Sequence, residues 1–131
     1  MASTTFTGPV TSLNGFVGTV TGNITGNVTG TVTGILIDSV QSLSGAGAVN
    51  LTTGLTALTT TGSAQALTLA NGTVGQVKTI VHAVDGGSAV LTPTTKIGFS
   101  TITFTAVGDS VSLVYTSAGW AITGSQGVTI A

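Results

Sequence analysis

Gln76-Val-Lys-Thr-Ile-Val-His82, then Asp85-Gly86-Gly87, then Ser88-Ala-Val-Leu-Thr92: two β-rich runs around a tight turn decide the fold class of this chain. Branching at Cβ in Val, Ile and Thr favours the extended backbone. Asp-Gly-Gly between two such runs is a hairpin turn signal. The same grammar continues in both directions. Upstream, Ala66-Leu-Thr-Leu69 is followed by Asn71-Gly72. Downstream, Thr101-Ile-Thr-Phe-Thr105 runs to Gly108-Asp109, and Ser110-Val-Ser-Leu-Val-Tyr115 turns at Ser117-Ala-Gly119 into Trp120-Ala-Ile-Thr123. Short strands with turn signals at close spacing predict an all-β unit over residues 64–131, a small antiparallel sandwich or barrel. Its expected core is Ile80, Phe104, Leu113, Tyr115 and Trp120, with Tyr115 and Trp120 close across the last hairpin. Long helices are disfavoured by 20 Gly residues, the absence of Glu and only two Lys.

Residues 35–63 read as a transition. Ile35-Leu-Ile-Asp38-Ser-Val40 has the look of a short strand, and Ser44-Gly-Ala-Gly-Ala-Val49 that of a small-residue linker. Leu51, Leu55 and Leu58 stand at helical spacing, but the Thr content around them argues for irregular or β structure.

Residues 1–34 carry a different pattern, with Gly at every fourth position: Gly18-Thr-Val-Thr, Gly22-Asn-Ile-Thr, Gly26-Asn-Val-Thr, Gly30-Thr-Val-Thr, Gly34. Collagen needs a period of three, and four residues are too few for a solenoid coil. Four is two strand periods. An extended arm therefore places Gly18, Val20, Gly22, Ile24, Gly26, Val28, Gly30 and Val32 on one notched apolar face. The opposite face is a row of Thr and Asn. At ~3.3 Å per residue the arm would span about 55 Å. A lone strand of this kind buries too little surface to offset its ordering entropy. The notched face is thus expected to be an oligomer interface, most simply between copies of the arm around a symmetry axis. A string of tight turns at each Thr-Gly-Asn is the alternative geometry.

Composition narrows the function classes. The charged side chains are Asp38, Asp85, Asp109, Lys78 and Lys96, 4% of the chain, against 41% hydrophobic residues. An ordinary soluble domain carries about a quarter charged residues. Surfaces this poor in charge usually end against other protein. Two Lys and no Arg leave too little positive charge for nucleic-acid binding. No apolar stretch approaches the ~20 residues of a membrane helix. Met1-Ala2-Ser3-Thr4-Thr5 has neither a basic nor an apolar signal region, so no secretory signal is expected.

Catalytic chemistry is not expected. His82 is the single histidine and sits in an apolar β run; Asp85 fits its turn role fully, so no Ser-His-Asp arrangement is indicated. Three scattered Asp and no Cys make a poor metal cage. The Gly-rich region lacks the Lys and helix of a phosphate loop. No cofactor is expected. Asn23-Ile-Thr25, Asn27-Val-Thr29, Asn50-Leu-Thr52 and Asn71-Gly-Thr73 match the glycosylation pattern, as a Thr-rich chain does by chance. Thr rows such as Thr101-x-Thr103-x-Thr105 resemble the hydroxyl ladders of ice-binding β-proteins, a minor alternative.

Thr5-Phe6-Thr7-Gly8-Pro9-Val10 followed by Asn14-Gly15-Phe16 resembles the start of small virion proteins from tailed phages, notably marine and cyanobacterial ones. The C-terminal part is similar to phage structural proteins through Gly75-Gln-Val-Lys-Thr-Ile80, Asp85-Gly86-Gly87, Leu91-Thr92-Pro93, Gly108-Asp-Ser-Val-Ser-Leu-Val-Tyr115 and Gly119-Trp120. The resemblance implies a capsid decoration (cement) protein, or a fibre or spike component, commonly trimeric and without catalytic residues. The expectation is therefore a homotrimer on the capsid surface of a virion that binds the major capsid protein, with Phe6, Pro9 and Phe16 as candidate partner contacts. The alternative is a short head or tail fibre that binds the host surface.

Overall fold

The computed structural model describes Thr7, residues 31–35 and residues 37–131. Two compact units divide the chain at Gly34 and Ile35. The second holds ten strands and, among the described residues, no helix: β1 (Val40–Ser44), β2 (Gly47–Val49), β3 (Leu55–Thr59), β4 (Gln65–Leu69), β5 (Val77–Val84), β6 (Ala89–Pro93), β7 (Ile102–Phe104), β8 (Ser110–Thr116), β9 (Gly119–Gln126) and β10 (Thr129–Ile130).

These strands form two five-stranded sheets, ordered β1-β3-β5-β8-β9 and β10-β7-β6-β4-β2. Up to β6 the chain alternates between them. β1, β3 and β5 run parallel in the first sheet, and β2, β4 and β6 run parallel in the second. Each consecutive pair is thus one two-sided turn of chain laid on the previous one. The antiparallel strands β7, β8, β9 and β10 complete the sheets. An all-antiparallel unit was expected; both sheets are mixed. The difference originates at Asp85-Gly86-Gly87. These residues do not close a hairpin, because β5 and β6 lie in different sheets.

Why that turn leaves the sheet is visible in its contacts. The Thr60 hydroxyl accepts from Gly86 N (2.9 Å) and lies 2.9 Å from Gly87 O. A Cβ on Gly86 would meet the Thr60 carbonyl, and one on Gly87 the backbone of Gly62 and Ser63. Both glycines let one turn lie on the turn before it. Backbone bonds continue the stack: Gly45 N to Thr59 O, Thr60 N to Val84 O and Gln65 N to Ser88 O, all 2.9–3.0 Å. The glycines read as hairpin formers serve close backbone approach instead.

Residues 35–63 also differ from their reading. Residues 35 and 37–39 hold no strand, and β1 begins at Val40. The small-residue segment supplies β2. The Leu51–Leu58 stretch leads into β3, in line with the irregular or β structure that its Thr content favours.

One core is shared by the two sheets. Leu58, Ile80, Val111, Leu113 and Trp120 come from the first sheet; Val49, Leu67, Leu69, Ala89, Leu91, Ile102 and Phe104 come from the second. Of the five residues expected there, Ile80, Phe104, Leu113 and Trp120 are fully buried, whereas Tyr115 is half-buried against the cluster. Tyr115 pairs with Trp120 across β8 and β9, ring centroids 5.1 Å apart at 68°. The indole nitrogen donates to Ala70 O at 2.8 Å, so the large ring is buried with its polar atom satisfied.

Candidate interaction surface

Alternation along the strands assigns each residue to a face. In the first sheet Thr56, Leu58, Lys78, Ile80, His82, Val111 and Leu113 are buried, which turns their neighbours outward. The outward rows follow the strand register: Val40, Leu55, Thr79 and Ser112 in one, and Ser42, Ala57, Val81 and Ser110 in the next. Val77 and Val114 form a third row with Ala121. None of these side chains is charged. Thr79 and Ser112 hydroxyls bond to each other at 3.1 Å, so part of this face's polarity is already satisfied internally. Val40 and Val77 are exposed at its rim.

The outer face of the second sheet has the same character. Ala48, Thr68 and Thr92 share one row; Ala66, Val90, Thr103 and Thr129 share another. Just before β1, Ile35 is 92% and Ile37 88% exposed. Isolated apolar side chains at a surface are ordinary, but two isoleucines this open, a few residues ahead of an edge strand, are apolar area suited to protein contact. The strand β1 is also an edge of its sheet, as β2 is of the other, and among the described residues no strand pairs with either outer edge.

The five charged side chains avoid both faces. Asp38 and Asp85 are exposed in loops; Asp85 Oδ1 accepts from Gly87 N in its own turn. Lys96 is half-buried and donates to Pro93 O. Lys78 and Asp109 are buried. Asp109 accepts the amides of Thr105 (2.7 Å) and Ala106 (2.9 Å). The Thr105 amide contributes most to holding its carboxyl below the ordinary value; burial opposes this, and the Ala106 amide adds to the lowering. Burial holds the Lys78 ammonium below its ordinary pKa, with the Asp38 charge acting in the opposite sense.

His82 is fully buried beside the edge of Phe104, its Nε2 3.0 Å from Thr60 Oγ1. It belongs to the turn stack described above. No group of three or more potential metal ligands occurs among the described residues.

Of the sequence-derived interface, Val32 is described and is exposed. Gly18, Val20, Gly22, Ile24, Gly26, Val28 and Gly30 lie outside the described residues, as do Phe6, Pro9 and Phe16. The uncharged outer rows were missed by sequence reading, although the scarcity of charge along the β-rich runs was the available signal. No protein-family model matches the chain, and no curated protein matches it.

Proposed function

We propose that this chain is a non-enzymatic virion structural protein, a homotrimeric capsid decoration protein that binds the major capsid protein at the capsid surface. The observation that carries this reading is a unit whose two sheets turn no charged side chain outward and which exposes Ile35 and Ile37 ahead of β1. Burying such faces removes apolar area from water without stranding a charge. At about 25 cal/mol per Å² a standard interface contributes substantially before association costs are subtracted. The N-terminal repeat, extended as its period of four predicts, would intertwine with or lie along neighbouring chains, while the β unit would form a sandwich-like knob. Stabilisation of the shell then comes from bridging subunit boundaries and requires no chemistry.

The test is binding of the purified protein to undecorated capsids and, in parallel, to host cells. Saturable binding to capsids, with a rise in their thermal stability, is expected. Saturable binding to cells alone would replace the reading with a fibre or adhesin role.

A further inference from the structure

Lys78 is fully buried and has no carboxylate within ion-pair distance among the described residues. Its Nζ donates to Thr53 O (2.8 Å) and Thr53 Oγ1 (3.0 Å), and stands 3.5 Å from Asn50 Oδ1. That oxygen already accepts the Thr53 amide at 3.2 Å and lies 2.8 Å from the Thr53 hydroxyl. The Thr53 hydroxyl has one proton, which also lies within reach of Leu55 O at 3.0 Å, so the Thr53 amide is the fixed donor that draws electron density from the Asn50 carbonyl carbon and favours attack by an amine. Asn50 Nδ2 makes no hydrogen bond among the described residues and is not a buried orphan, so it retains access to solvent.

We propose that Lys78 and Asn50 form an intramolecular isopeptide bond. The Nζ–Cγ bond forms and the Cγ–Nδ2 bond breaks. One Nζ proton passes to the departing nitrogen, and ammonia leaves toward water. No oxidant, metal or second reactant is needed. Attack requires the neutral amine, and burial shifts Lys78 toward that form against the opposing charge of Asp38. The product replaces a buried ammonium by a neutral amide. It also closes a covalent ring from Asn50 to Lys78 that encloses β3 and β4, so the stacked turns could not separate on unfolding.

Intact mass of the purified full-length chain under denaturing conditions tests this directly. The expected mass is lower than that of the unmodified chain by one ammonia, about 17 Da. Trypsin localises the change, because the chain has only Lys78 and Lys96 as cleavage sites and no Arg. With Lys78 acylated, residues 1–96 remain one fragment after digestion of the unfolded chain, and Asn50→Ala restores the separate 79–96 peptide. A succinimide elsewhere would lower the mass equally but leave cleavage after Lys78 intact. The unmodified mass together with a free 79–96 peptide from the wild-type chain would overturn the proposal, whether or not the variant folds.

Discussion

Thr60 Oγ1 lies 3.0 Å from His82 Nε2, inside the joint where the turn after β5 rests on the turn after β3. The same hydroxyl accepts from Gly86 N and lies 2.9 Å from Gly87 O. A hydroxyl has one proton; given to Gly87 O, it leaves Nε2 as the donor to Thr60. Among the described residues Nδ1 is buried without a partner. Thr60→Val keeps the shape and removes every one of these bonds. The expected loss is about 1–3 kcal/mol, the cost of buried polar groups left unpaired, read from the urea midpoint at constant m-value.

Gly87 has φ +141° and no room for a Cβ against Gly62 and Ser63, whereas Gly75 has φ +89° and open space around it. Gly75→Ala should cost only the left-handed backbone strain, about 1–2 kcal/mol. Gly87→Ala adds a backbone clash and should cost clearly more. Equal losses in thermal unfolding would show that the turns do not stack closely.

Trp120 is the sole tryptophan, fully buried, with Tyr115 against its ring. Trp120→Ala should destabilise the β unit by about 3–5 kcal/mol. In the wild-type chain, the same indole should show blue-shifted fluorescence that moves red in a single transition with urea.

Asp109 gives the acid limb of stability. Its folded-state pKa is depressed, so its contribution is complete above the ordinary value of 3.8 and is lost as pH falls below that toward the folded value. Urea midpoints should therefore decline as pH falls through and below about 3.8. Asp109→Asn cannot be ionised and should flatten that decline while lowering stability at neutral pH.

Much of the strand content was legible. Ala66–Leu69, Val77–His82 and Ser110–Tyr115 all lie on strands, because Cβ branching and short turn signals mark extended backbone locally. Pairing direction was not legible, since period-two alternation is the same in parallel and antiparallel strands. An Asp-Gly-Gly turn serves equally to close a hairpin or to change sheets; only the glycines' contact with Thr60, Gly62 and Ser63 distinguishes the two. On the inward face of β5, the core place of Ile80 and the hydrogen-bonded place of His82 were legible, whereas the burial of Lys78 was not. Lys78 and His82 share that face with Ile80, and what admits them is a carbonyl at Thr53 and a hydroxyl at Thr60, distant in sequence from both. Local patterning carries no information about such partners.

On the proposed reading, this chain acts through association, with Ile35, Ile37 and the Gly/Val repeat covered by other copies. Native mass spectrometry of the full chain tests it most directly. The expected species has three times the chain mass and shifts to monomer in Gly26→Val and in the Ile35→Ser, Ile37→Ser double variant. A monomer at every concentration in the wild type, or a trimer unmoved by those substitutions, would contradict it.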